Sequence, residues 1–200
     1  MVSLLFSRRG FRRLIAATLV AIGLQTALVV APANALTPGW FQFDRYSNTN
    51  SNLFWMLQTS SGTKWWYYRA GSGTSTDECW VSHGWLPGGW YDMWGMWDTY
   101  NGGQIFGRVF RLSDHTCKNG STRRTALFIH TEETPSQGQN CGYEPQCWDG
   151  DGDYYSLGCI KVSYPNHGAP NIGNIHWQFH NNGGSGSHGS YTLQYMLYVT

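Results

Sequence analysis

Beyond Ala35 no stretch of this sequence carries a sustained helical apolar period; its hydrophobic residues come in short runs set between turn clusters. That pattern restricts the chain to a mainly β architecture. The composition agrees: 25 Gly, 11 Trp and 12 Tyr against only 12% charged residues suit strands with aromatic faces and glycine turns. Leu53 to Leu57, Lys64 to Tyr68 and Gly107 to Leu112 read as strands. Arg124 to His130 climbs through a nearly continuous apolar run that predicts a buried strand ending at His130. Ile160, Val162 and Tyr164 share one face. Ile175, Trp177 and Phe179 alternate with polar neighbours, as do Leu193, Tyr195, Leu197 and Val199, which predicts a hairpin around the loop 181–190. The expected fold is a mixed or antiparallel β-sandwich with little helix. Residues 36–52 and 181–190 are polar and expected to be mobile.

The first 35 residues are set apart from this pattern. Arg8, Arg9, Arg12 and Arg13 precede an apolar run from Leu14 to Ala31, and Ala33-Asn34-Ala35 is a small-x-small cleavage site. This is the layout of a secretory signal peptide, and Ser7-Arg8-Arg9-Gly10-Phe11 is close to a twin-arginine signal. Cleavage after Ala35 would leave 165 residues, a length suited to one domain over 36–200. No second hydrophobic span follows, so an exported protein without a stable membrane anchor is expected. Setting aside the four leader arginines leaves nine basic against 12 acidic residues, a formal charge of −3. With no basic cluster, that sign argues against nucleic acid as a partner. The composition offers no self-association surface, and a monomer is expected.

Five cysteines in an exported chain leave one over when the rest pair. Cys159, in Ser156-Leu157-Gly158-Cys159-Ile160-Lys161, is the candidate for the odd thiol. Cys141 and Cys147 close a short loop that a disulfide can clip, leaving Cys79 and Cys117 for each other, although five cysteines allow other pairings. A thiolate attacks only if something takes its proton, and an imidazole can do so and later protonate a leaving amine. His130, at the end of a buried strand, is the candidate base. Gly158 lets backbone approach a reacting carbonyl, so the N–H groups around Gly158 and Cys159 are candidates to hold a developing oxyanion.

Three ordered segments resemble the L,D-transpeptidase catalytic domains that cross-link bacterial peptidoglycan. Phe128-Ile129-His130-Thr131 is similar to the strand that ends in the family's imidazole base, and Ser156 to Lys161 to the segment that carries its nucleophile. Gly84-Trp85-Leu86-Pro87-Gly88-Gly89-Trp90-Tyr91 resembles the turn where a strand re-enters the sheet. The resemblance covers roughly residues 64–164. It implies that Cys159 forms a thioester with a stem peptide and that His130 is base and acid, oriented by the carbonyl of Thr131. It further implies that Ser156 and Gly158 shape the loop, that transfer goes to an amine or to water, and that no cofactor is needed. The expected location is then extracellular and wall-associated. Leu157 stands where the family has His, the 25 residues between His130 and Ser156 exceed the usual interval, and residues 165–200 do not resemble the family's ending.

Other constellations have plainer readings. Asp149-Gly150-Asp151-Gly152-Asp153 spaces carboxylates like part of a calcium loop but lacks the closing Glu, so an acidic loop facing the substrate's amino groups is expected. His176 and His180 read as a polar row on a strand rather than a metal pair, and Glu132 and Glu133 as solvated loop charges. Trp65, Trp66, Trp90, Trp94 and Trp97 either fill the core or stack sugars. The alternative to an enzyme is a non-catalytic wall- or carbohydrate-binding β-domain. A papain-like peptidase fits less well, because there Cys precedes His and opens a helix.

Overall fold

The structure, a computed structural model, describes residues 39–167, 170–182 and 189–200. The export segment expected over 1–35 lies outside them, as do residues 183–188 of the loop expected to be mobile.

Alternation builds the first three strands. In β1 (Gly39–Asp44) Phe41 and Phe43 are buried while Trp40, Gln42 and Asp44 are half-buried. β2 (Ser51–Thr59) buries Ser51, Leu53 and Trp55 in the same rhythm, and β3 (Gly62–Ser72) returns after a two-residue turn with Thr59 opposite Gly62. The 36–52 segment, expected to be mobile, thus contributes a barrel strand, because two phenylalanines on one face outweigh its polar composition. β4 (Gly89–Asn101) and β5 (Phe106–Leu112) form a long antiparallel pair, and β6 (His115–Thr116) and β7 (Arg123–Arg124) a small separate sheet. Only β8 (Phe128–His130) of the expected 124–130 strand joins the main sheet, where it runs parallel to β9 (Ile160–Val162). β10 (Gly189–Val199) completes the chain.

The expected sandwich is overturned. The strands close into an eight-stranded barrel in the order β1-β10-β4-β5-β8-β9-β3-β2. Closure depends on β10, which lies parallel to β1 with Phe41 opposite Leu197 and antiparallel to β4, and on β9, which joins β8 to β3. Alternation tells which face of a strand is buried, and a sandwich and a barrel bury the same face. The bending that closes the sheet comes from irregularities: β4 shifts register between Met93 and Gly95 and between Trp97 and Tyr100. At Gly95, with φ +152°, a Cβ would collide with the Trp97 ring.

The strand expected at 175–179 is instead part of helix α1 (Ile172–Asn181). Ile172, Ile175, His176 and Phe179 are buried, a spacing of three, four and seven, while Trp177 is 58% exposed. The side chain of Asn171 caps the helix by accepting from the Gly173 and Asn174 N–H groups. Phe179 meets Phe41, Trp55 and Phe110 at ring-centroid distances of 6.1, 5.4 and 5.1 Å. The helix therefore packs onto the barrel's inner side chains, and the expected hairpin with residues 191–199 does not form.

Candidate active site

Strands β8 and β9 position the two residues that matter most. Ile129 lies opposite Ile160, and both are fully buried in the main core. The alternating residues turn the other way: His130 lies opposite Lys161, and Cys159, one residue before β9, packs with Phe128 and Val109. Cys159 and His130 are thus diagonal neighbours on one face of adjacent parallel strands. Both line a cleft of about 600 Å³ together with Arg124, Glu132, Ser156 and Lys161.

The structure pairs Cys79 with Cys117 and Cys141 with Cys147, and leaves Cys159 as a free, buried thiol. Disulfides persist in oxidising compartments. Among the described residues no helix is long and apolar enough to cross a membrane.

The imidazole of His130 is held by a hydrogen bond of 2.9 Å between Nδ1 and the Thr131 carbonyl. A carbonyl can only accept, so Nδ1 carries the proton and Nε2 keeps its lone pair. Burial, reinforced by the Lys161 charge, pushes the His130 pKa down to about 3, so the ring is neutral at neutral pH, and the same burial weakens its affinity for a proton. The Cys159 thiol donates to the Ala126 carbonyl at 3.6 Å. Burial pushes its pKa up to about 11, against the opposing influence of a Phe128 backbone hydrogen bond, Lys161 and Arg124. The resting pair is therefore thiol and neutral imidazole.

The segment before Cys159 is fastened from several sides. Ser156 Oγ donates to the Cys159 carbonyl at 2.7 Å and accepts from Gly73 N–H and Gly158 N–H at 2.8 and 3.0 Å. Gly158 N–H, expected as an oxyanion donor, is thus engaged by Ser156 in this state. Gly158 has φ +121°, and a Cβ there would collide with Arg124 Nη2. Leu157 is 68% exposed, in the place where the resemblance would put an imidazole.

Sequence reasoning missed the charged groups in and near this site. Arg124 is 2% exposed and, among the described residues, donates only to backbone carbonyls: from Nη1 to Glu78 and Trp85, and from Nη2 to Gly84 and Leu157. Lys161 forms an ion pair with Glu132, and Arg108 pairs with Glu133 at 2.6 Å. Glu132 and Glu133 are buried, so the expected solvated loop charges are corrected: each is neutralised by a cation from another strand. Burial pushes the Glu132 pKa up to about 7 despite Lys161. No local signal in the sequence marks these partners, which lie 29 and 25 residues away.

Asp153 accepts from the Asp149 and Gly150 N–H groups, and Asp151 pairs with Arg69. Carboxylate oxygens of Glu132, Glu144 and Asp153 come within 4.8 Å of one another at the edge of the cleft, the one acidic trio among the described residues with cation-binding spacing. Lys161 already neutralises Glu132 there. His176 and His180 lie one turn apart on α1 rather than in a strand row, and His176 Nδ1 bonds Asp98 at 2.8 Å. Of the tryptophans read as either core or sugar-stacking, Trp65 and Trp90 are exposed, Trp66 is packed against the core, and Trp97 packs against the patch around Cys159. No protein-family model, curated protein or solved structure matches this chain.

Proposed function

We propose that this protein is an exported cysteine acyltransferase that acts on the peptide stems of peptidoglycan in the manner of the L,D-transpeptidases. The observation that carries the reading is the placement of a free thiol, one residue before β9, and a carbonyl-oriented neutral imidazole, at the end of β8, as diagonal neighbours lining one cleft. His130 Nε2 takes the Cys159 proton as the sulfur attacks a peptide carbonyl, giving a tetrahedral oxyanion. Collapse expels the amine, which takes that proton from His130, and leaves a thioester on Cys159. A second stem's amine, or water, then attacks the thioester, returning the proton to sulfur through His130. The chemistry is closed in protons and uses no cofactor. The exposed Glu144 on the cleft wall suits a substrate that carries amino groups.

The test is the intact mass of the mature, oxidised protein after exposure to a carbapenem, an acylating inhibitor of the L,D-transpeptidases. One adduct is expected, absent in Cys159→Ala and slowed in His130→Ala. An unreactive Cys159 would remove the catalytic reading. The second reading, a wall- or glycan-binding domain, draws on the exposed rings of Trp65 and Tyr67 beside the amides of Asn174 and Gln178. It requires that Cys159→Ala leave binding to isolated walls unchanged.

A further inference from the structure

A buried arginine is normally matched by a carboxylate, because an unpaired charge taken from water is costly. Arg108 follows this rule, with a two-point bond to Glu133. Arg124 does not. Although 2% exposed, it spends its two terminal nitrogens on four neutral carbonyls, and these belong to two separate segments. Three come from the 78–85 turn, which the Cys79–Cys117 disulfide anchors; the fourth is Leu157, two residues before the nucleophile. The same Nη2 fills the space where a side chain at position 158 would stand. Arg124 thus replaces a side chain that Gly158 lacks and bridges a covalently anchored turn to the loop that carries Cys159.

We propose that Arg124 is a positioning residue for the Leu157-Gly158-Cys159 segment, fixing the backbone that presents the thiol and keeping a buried positive charge beside it. The proposal rests on the reading of Cys159 as the nucleophile. A guanidinium is suited to this because its planar fork serves two carbonyls from each terminal nitrogen and stays charged when buried, which an ammonium does not do as well. Its charge also opposes the burial that disfavours the thiolate. Removal should therefore damage two separable things: the fraction of thiolate and the geometry of attack.

The experiment compares Arg124→Met, Arg124→Lys and Gly158→Ala with the wild type in the full mature chain. It uses the rate of Cys159 alkylation by iodoacetamide between pH 8 and 10 and the rate of carbapenem adduct formation. Near-ultraviolet circular dichroism and disulfide mapping report folding. Arg124→Met should slow alkylation about tenfold, equivalent to one pH unit in the thiol profile. It should slow adduct formation about 10²-fold, the scale of losing one preorganised donor at a reacting centre. Arg124→Lys should restore alkylation at high pH but leave adduct formation slowed about tenfold or more, since a point charge does not reproduce the fork. Gly158→Ala, which displaces the guanidinium without removing it, should slow adduct formation with the fold intact.

A folded Arg124→Met with wild-type rates in both assays overturns the proposal, as does full rescue of adduct formation by lysine. If Arg124→Met does not fold, Arg124→Lys and Gly158→Ala decide the matter. A wild type that forms no carbapenem adduct removes the transpeptidase reading, while the alkylation series still reports whether Arg124 controls the thiol.

Discussion

His130 and His176 are buried by the same barrel in different surroundings. Each is almost fully removed from solvent, and burial is the main reason that each ring resists protonation, with the pKa pushed down to about 3 and about 4. The difference is in the partner and in what lies on the other side of the ring. His130 bonds the uncharged carbonyl of Thr131, which fixes its orientation, and faces a cleft shared with a free thiol. His176 bonds the carboxylate of Asp98 and packs against the Phe110 ring, centroids 4.4 Å apart, where α1 meets the barrel. Burial makes an imidazole neutral; only its surroundings decide whether neutrality means a base or a packing unit.

The largest effect that can break this comparison is kinetic. His130→Ala should slow acylation of Cys159 by about 10²–10⁴-fold, the usual contribution of a positioned base. His176→Ala should leave acylation within a few-fold of the wild type once the protein is folded, measured by the same mass assay. Equal losses from both would mean that neither ring acts as a base.

Next comes a dependence on pH. Both imidazoles titrate lower in the folded protein than in the unfolded chain, so between about 6.5 and 4 the unfolded state binds protons that the native state refuses. Their stabilising contribution is complete above pH 6.5 and is lost as pH falls through that window. Glu132 slopes the other way, since its pKa is raised to about 7 by burial, and it favours the folded state at lower pH. A His176→Gln variant removes one imidazole and leaves Glu132 in place. The difference between urea denaturation series of wild type and variant should then vary by on the order of 2–3 kcal/mol from pH 7 to pH 4. A parallel pair of curves would mean that His176 binds protons in the native protein as it does in the unfolded chain.

The two histidines also show how far the sequence could be read. His130 was legible because it closes a short apolar strand and precedes a glycine-cysteine segment, and both facts are local. Thr131 followed from the resemblance, and the structure places its carbonyl on Nδ1. Arg124 and the Lys161–Glu132 pair were not legible, since their meaning arises only when β7, β8 and β9 are brought against the 78–85 turn. The barrel was missed for a similar reason. Each strand's buried face can be read from alternation, but the parallel contact between β1 and β10 that closes the sheet joins residues more than 150 positions apart.

Around His176 the difficulty was one of period. Ile175, Trp177 and Phe179 alternate as a strand would, while Ile172, Ile175, His176 and Phe179 recur as a helix would, and ten residues satisfy both templates. The Asn171 cap was the local cue that favoured the helix. Trp177 is the residue on which the two readings disagree. A strand would bury it beside Ile175 and Phe179, where truncation costs about 3–5 kcal/mol, whereas α1 turns it outward to 58% exposure. Trp177→Ala should therefore change stability by only about 0.5 kcal/mol, and its urea midpoint should stay near that of the wild type. Its fluorescence should also be readily quenched by acrylamide, in contrast to the buried Trp55. A loss of several kcal/mol would move Trp177 into the core, and with it would go the helix that places His176 against Asp98.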